Sequence, residues 1–387
     1  MEYDLRVYWL WLQHALGAGS SKAGRILSSY PTVYDFYRAG RQSWLLEGYF
    51  TQKELRNMEA WTAEQAAALL EYSEKMRQRV ITPDDSEYPE LLKQISNPPC
   101  ALYVKGHIPD ISCRPSIAIV GTRKATATGR TAARSIAYEL AKKGAVVVSG
   151  GALGIDTAAH KGALQAGGKT VCVLGCGIDA NYLMVNASLR DVIAQNGALV
   201  SEYPPDTQPL GSNFPIRNRI ISGLAVGTLV VEAASHSGSL ITADCALDQG
   251  RDVFAVPADI YSPVSKGVNS LIKCGAKPVS SAGEILEEYS ERFLGKILLD
   301  GVETNAIIKD KDIDIPKKPH EENHTHKPEN LSDDAERIYS VLSKEPAHIS
   351  NIEAETGLPV QCLLAALTEL ELAGVVRSYS GRRYGLC

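Results

Sequence analysis

The 387-residue chain has room for two or three domains of about 100–200 residues each. Its net charge of −5 excludes a broad polycationic surface, so any nucleic-acid site has to be a local basic cleft. No apolar run approaches the ~20 residues that a membrane-spanning helix needs. The apolar stretch after Arg6 is broken by Gln13 and His14, which makes a poor signal peptide and points to a cytoplasmic protein. The eight cysteines are scattered singly, with Cys172 and Cys176 the closest pair, and no CxxC or Cys/His metal spacing occurs. They read as buried structural thiols in a reducing compartment, with no metal.

Residues 1–79 form an N-terminal helical domain. Apolar residues recur at helical spacing over 7–16 and 61–70, and Trp9, Trp11, Trp44 and Trp61 all lie here. The turn Gly17-Ala18-Gly19 admits two readings, a plain helix–helix turn or a helix-hairpin-helix element offering N–H groups to DNA phosphates. The fold expected for the domain is helical, SAM-like or helix-hairpin-helix-like. A connector over 80–110 carries turns at Tyr88-Pro89 and Pro98-Pro99 and a short extended piece at Leu102-Tyr103.

From Ser116 short apolar runs alternate with helical stretches. Residues 117–120, 145–148, 171–174, 198–200, 228–231 and 253–256 read as buried strands. The stretch 131–143 puts Ala133, Ile136, Ala137, Leu140 and Ala141 on one helical face and stops at Gly144. Such alternation predicts an α/β, Rossmann-like doubly wound core over 80–295, with a parallel sheet covered on both faces. Residues 296–330, rich in Lys, Asp, Glu and Pro, read as a flexible linker in which His320, His324 and His326 have no accompanying metal scaffold. Residues 331–387 show helical stretches, then strands at 375–380 and 383–386 about Gly381-Arg382, a C-terminal winged helix.

In a doubly wound sheet, ligands bind outside the carboxyl ends of the strands. Gly121, Thr122, Arg123 and Lys124 follow the first strand of the core; Gly150, Gly151 and Gly154 follow the second. Gly175-Cys176-Gly177 follows the third, and Ser237, Gly238, Ser239 and Thr242 follow the fifth. All four loops are expected at one edge. Glycines admit close backbone approach, helix N-termini after the second and fifth strands offer N–H groups, and Arg123 adds a charged fork, which together suit an anion. The first loop lacks GxGxxG and the chain lacks GxxxxGK[ST], which disfavours a dinucleotide site and a P-loop hydrolase. Arg217, Asn218 and Arg219 start an apolar helix and require a DNA phosphate or an internal partner such as Glu202 or Glu232. Asp156 reads as a helix-start residue and His160 as a packed, hydrogen-bonding histidine.

The ordered run Ile119-Val120-Gly121-Thr122-Arg123, Ser149-Gly150, Gly154-Ile155-Asp156, Ala159-His160, Ser201-Glu202, Phe214-Pro215-Ile216-Arg217-Asn218-Arg219 and Ser237-Gly238-Ser239-Leu240-Ile241-Thr242-Ala243 resembles the core of the DNA-processing protein A (DprA, or Smf) family. The resemblance spans about 200 residues and reaches back through Tyr88-Pro89. It implies a non-enzymatic protein without cofactor that binds single-stranded DNA, protects incoming DNA, and helps load the recombinase RecA during natural transformation. It also implies a homodimer through the Rossmann-like core, around 242–276, with Arg123 and Lys161 as DNA contacts. The sequence departs from the family pattern at Tyr182-Leu183 and Pro257-Ala258.

Two other classes are weighed. A nucleoside-monophosphate hydrolase would use an acid such as Glu232, but the PGGxGT loop of those enzymes is absent. A sequence-specific winged-helix regulator would read DNA through the helix at 359–373, which has no Lys or Arg and carries Glu369 and Glu371. A partner-docking role suits that domain better, with Arg377, Arg382 and Arg383 as its basic feature.

Overall fold

A computed structural model describes residues 3–297, 331–343, 347–373, 375–379 and 383–386. The chain divides into two compact units, Met1–Pro316 and Lys317–Cys387.

The first unit opens with five helices, α1 (Leu5–Leu16), α2 (Lys22–Ser29), α3 (Val33–Leu46), α4 (Gln52–Ala60) and α5 (Ala63–Lys75). Their starts are written locally: Thr51 with Glu54 and Thr62 with Gln65 form reciprocal capping boxes at α4 and α5. The strands then follow as β1 (Arg79–Ile81), β2 (Leu102–Gly106), β3 (Ser116–Val120), β4 (Val146–Ser149), β5 (Thr170–Leu174), β6 (Ala198–Ser201), β7 (Gly227–Val230), β8 (Asp252–Ala255) and β9 (Lys277–Pro278). The helices of this region are α6 (Glu90–Lys93), α7 (Ala127–Lys142), α8 (Ile155–Gln165), α9 (Ala187–Asn196), α10 (Asn213–Gly223), α11 (Gly238–Asp248), α12 (Lys266–Lys273) and α13 (Ala282–Leu286).

One nine-stranded sheet has the order β1-β2-β6-β5-β4-β3-β7-β8-β9. Strands β3 to β9 pair in parallel, and β2 joins antiparallel to β6 with β1 antiparallel beyond it. The six expected strands are all present; the short β1 and β9 lack an apolar run of their own. Helix α7 starts four residues before the expected stretch 131–143, because the Thr126 side chain caps it by accepting from the Gly129 N–H.

The strands show how the two faces are shared. Val171 and Val173 of β5 and Ala198 and Val200 of β6 enter the central core with the buried helices of the Rossmann-like domain. Cys172, Leu174 and Leu199, one residue out of phase, enter a second core with Trp9, Trp11, Phe36 and Trp44. The N-terminal helices therefore cover one face of the sheet around β5, β6 and β2. Trp9 and Trp11 are buried, and their indole N–H groups donate to Asp84 Oδ2 at 2.7 Å and to the Met58 carbonyl at 3.3 Å.

The second unit holds α14 (Asp333–Val341), β10 (Ala347–His348), α15 (Ile349–Thr356), α16 (Val360–Leu372), β11 (Val376–Tyr379) and β12 (Arg383–Leu386), with antiparallel sheet order β10-β12-β11. This is a winged helix, with β10 added to the expected hairpin. The expected linker lies, but for residues 296 and 297, outside the described residues, as do its three histidines and Gly381-Arg382.

The cysteine expectation needs correction. Cys100, Cys172 and Cys176 are buried, and burial pushes the Cys100 and Cys172 thiols up to about 12 and that of Cys176 up to about 11. Cys245 is half-buried, and Cys113, Cys274 and Cys362 are exposed, the first two in a bend and a turn and the last on the solvent face of α16.

Candidate nucleic-acid interface

The strand order reverses between β3 and β7: the chain leaves β3 for β4 on one side and returns three strands later to β7 on the other. A parallel sheet opens a crevice at such a point, because the connections on its two sides diverge. A cavity of about 460 Å³ lies there.

Its first wall is the loop after β3. The Thr122 N–H donates to the Glu232 carbonyl at 2.8 Å, which pins this loop to the end of β7. Gly121 is required, since a Cβ there would stand 2.5 Å from Ile155 Cγ1. Arg123 and Lys124 are left exposed, and the Arg123 guanidinium lies 5.4 Å from the centre of the Phe214 ring.

The second wall is the start of α11. Ser237 caps the helix, accepting from the Ser239 N–H at 3.4 Å, and Gly238 is exposed to the cavity. Thr242 follows one turn later on the same side.

The third wall is α10, whose Phe214, Pro215, Arg217, Asn218 and Ile221 line the cavity. Arg217 is buried; its Nη1 donates to the Gly150 carbonyl at 2.8 Å and to the Val173 carbonyl. Asn218 Nδ2 donates to the Gly238 carbonyl at 3.2 Å, tying α10 to α11. Arg219 points the other way and pairs with Glu202 at 2.6 Å, both side chains buried. The two open readings of this motif thus divide: Arg219 has the internal partner, whereas Arg217 is held by backbone carbonyls at the cavity.

Asp156 lies at the floor, 6 % exposed, and its Oδ2 accepts from the Ala152 N–H at 3.3 Å. Burial pushes its carboxyl up to about 6, against the pull of Arg217, the two backbone N–H groups of Ala152 and Gly150, and Arg123. Burial likewise lowers Arg217, with Asp156 opposing.

Of the expected residues, Gly121, Thr122, Arg123, Lys124, Arg217, Asn218, Ser237, Gly238, Ser239 and Thr242 come together around the cavity. Gly150, Gly151, Gly154, Lys161 and Arg219 do not line it. The three glycines serve packing: an added Cβ would meet Arg217 Nη1 at 2.6 Å from Gly150, Cys172 Sγ at 2.6 Å from Gly151, and the Thr122 carbonyl at 2.4 Å from Gly154. The N-terminus of α8 is not free, since the Ile155 N–H approaches the Thr122 carbonyl at 3.4 Å and Asp156 occupies its first turn. Lys161 is half-buried on α8. The third loop, Gly175 to Gly177, is buried instead of reaching the edge, with Gly175 packed on Phe214.

Phe214, Asp156 and Ile241 line the cavity without having been expected there. Phe214 carries a signal in hindsight, an aromatic placed directly before a proline at a helix start. His160 packs as expected: its Nδ1 meets Thr170 Oγ1 at 2.8 Å, and burial pushes the imidazole down to about 3. Glu232 is engaged at the start of α7, accepting from the Thr126 N–H at 2.9 Å and from Thr126 Oγ1 at 2.5 Å. A hydrolase acid there would have to give up that cap. Among the described residues, no cluster of His, Cys, Asp and Glu could hold a metal ion, and no helix is long and apolar enough to cross a membrane.

A cavity at the switch point of a Rossmann-like sheet, with Arg123 and Lys124 exposed at one wall, and a C-terminal winged helix define the chain as a Rossmann-like α/β protein with an appended winged helix. Residues 79–290 match the family model of DNA recombination-mediator protein A, and residues 322–382 match that of the DprA winged helix domain. The chain belongs to the DNA recombination-mediator protein A (DprA/Smf) family. It is 37 % identical to Protein Smf of Synechocystis over 81 % of this chain and 82 % of that one. It is 45 % identical to DNA processing protein DprA of Bacillus subtilis over 53 % of this chain and 69 % of that one. Among solved structures, DNA processing protein A of Streptococcus pneumoniae matches with a TM-score of 0.56 and 38 % identity, covering 61 % of this chain and 81 % of that one. That of Helicobacter pylori, described for its single-stranded DNA binding mode, matches with a TM-score of 0.50 and 31 % identity over 55 % of this chain and 96 % of that one.

Proposed function

We propose that this protein binds single-stranded DNA in the cavity between β3, α10 and α11, protects it, and hands it to RecA, without chemical turnover and without a cofactor. The carrying observation is the cavity: Arg123 and Lys124 stand exposed at one wall and the capped start of α11 at another, with Arg217 buried beside them. Phosphate suits the cations and the hydroxyls of Ser237, Ser239 and Thr242. Phe214, half-buried beneath Arg123, offers an apolar face to an unpaired base. A concave site admits one strand, whereas a duplex offers its phosphates on a convex surface. The single-stranded DNA binding named for the Helicobacter pylori relative supports the same reading.

On this proposal the DNA contacts are Gly121, Thr122, Arg123, Lys124, Arg217, Asn218, Ser237, Gly238, Ser239 and Thr242, with Lys161 as a peripheral contact. The protein acts in the cytoplasm as a homodimer during uptake of DNA. Its parts are the helical domain 1–79, the core 80–295, the linker 296–330 and the winged helix 331–387.

Affinity for an unstructured oligonucleotide and for a duplex of equal length, measured across a salt series, tests this. Single strands should bind more tightly, with a slope of about −0.7 in log K against log salt for each phosphate neutralised. A flat response or a duplex preference refutes it.

A further inference from the structure

The turn Gly17-Ala18-Gly19 has a use that DNA contact does not require. The Gly19 N–H donates to Glu202 Oε1 at 3.2 Å, the same oxygen that takes Arg219 Nη2 at 2.6 Å. The Gly19 carbonyl accepts from Asn97 Nδ2 at 3.3 Å. One turn back, Gln13 Nε2 donates to the Glu202 carbonyl at 2.6 Å, and Gln13 Oε1 accepts from the Ala101 N–H. Gly19 has φ +80°, and a Cβ on it would stand 2.8 Å from Ile216 Cγ2. The N-terminal domain is thus keyed into α10 at Ile216 and, through Glu202, at Arg219. These two residues bracket Arg217 and Asn218, which face the cavity.

The pair is costly to disturb. Glu202 and Arg219 are each at most 6 % exposed at the side chain. Glu202 Oε2 and Arg219 Nε and Nη1 are buried with no hydrogen-bond partner among the described residues. A small shift of α10 would leave both charges buried and unpaired, so the helix has one seat while the N-terminal turn holds Glu202.

We infer that Gly19, acting through Glu202 and Ile216, is a positioning residue for the α10 wall of the cavity, so that the N-terminal domain sets single-strand affinity without contacting DNA. This rests on the single-strand reading above. The full chain is compared with Gly19→Ala, Ile216→Ala and the double variant Gly19→Ala/Ile216→Ala, by melting curves and by affinity for a fluorescent oligothymidine. Gly19→Ala should weaken binding about three- to tenfold, and removing the Ile216 branch should restore part of it. The decisive readout is a pair of double-mutant cycles. Gly19→Ala should be non-additive with Asn218→Ala on α10 and additive with Lys124→Ala on the β3 loop, a pattern that general loss of stability would not produce. Should Gly19→Ala not fold, Ile216→Ala alone, which removes the contact between the turn and α10 and keeps the Glu202–Arg219 pair, should show the same pattern with a smaller loss. Additivity in both cycles, or unchanged affinity in a folded variant, overturns the inference while leaving the binding site standing. A wild-type chain that binds no oligothymidine overturns the single-strand reading itself.

Discussion

At the scale of single residues, Arg123 and Asp156 divide the work of the cavity. Arg123 is exposed on a loop pinned by backbone bonds, so its loss removes charge and a face over Phe214 without touching the core. Arg123→Ala should weaken single-strand binding about tenfold with an unchanged melting curve; equal affinity would remove this residue from the site. Asp156 has the opposite character. Its carboxyl is raised from 3.8 to about 6, so the stability it contributes is full below pH 3.8 and is lost as pH rises through about 6, a change of up to about 3 kcal/mol. Urea midpoints of wild type and Asp156→Asn should therefore diverge in favour of the variant between pH 4 and pH 7. His160, held neutral with its imidazole near 3, loses stability as pH falls below 6.5 toward 3, but it does so in both chains and cancels. The charged carboxylate at the cavity floor also repels phosphate, so wild-type affinity should rise as pH falls from 7 to 5 and the variant's should stay flat. A steep pH response in Asp156→Asn would assign that proton elsewhere.

At the scale of elements, α10 and α11 carry different tasks on their two sides. Helix α10 spends Arg217, Asn218 and Arg219 on three different neighbours, namely the carbonyls of Gly150 just after β4 and of Val173 in β5, the start of α11, and Glu202. Helix α11 presents Ser239 and Thr242 to the cavity, yet its end leaves Leu247 59 % exposed. Leu247 borders a hollow of about 310 Å³ with Leu271, Phe254 and Cys274, and Ile260 nearby in sequence is 72 % exposed. Arg251, Asp252, Lys277 and Glu288 also line this hollow, and an exposed leucine set among charges of both signs suits a second copy of the chain. Leu247→Asp should turn a dimer into a monomer in light scattering at micromolar concentration and leave the melting curve of the core in place. A wild-type chain that is already monomeric there would remove this segment as the interface.

At the scale of the whole molecule, the winged helix stands apart in chemistry as well as in sequence. The outward residues of α16, Gln361, Cys362, Leu364, Ala365 and Thr368, are uncharged. Glu369 is occupied, accepting from the Ser332 N–H at 2.8 Å and from Ser332 Oγ at 2.6 Å. Such a face offers nothing to a phosphate backbone. A chain ending at residue 330 should keep most single-strand affinity, within about threefold of the full chain. If instead the fragment 331–387 bound DNA alone, the site would belong to the winged helix.

Much was legible in the sequence because it is locally written. Buried parallel strands are near-continuous apolar runs, so the six main strands stand out; helix caps and the loops after β3 and β7 depend on residues adjacent in the chain. The residues Gly121 to Lys124 and Ser237 to Thr242 reach the cavity for that reason, since strand ends and helix starts at one sheet edge converge by topology alone. What tertiary structure decided is partnership across long separations. Whether Arg217 or Arg219 faces the cavity depends on Glu202, held in turn by Gly19, 183 residues earlier. Gly175 and Gly177 read as a ligand loop but are covered, Gly175 by Phe214 of α10 and Gly177 by the backbone of Pro204, Asp206 and Thr207. Asp156 reads as a helix start, and only its burial, opposed by Arg217, pushes its carboxyl up to about 6. Charge pairing and desolvation depend on which surfaces are brought together, and no stretch of sequence contains both halves of such a contact.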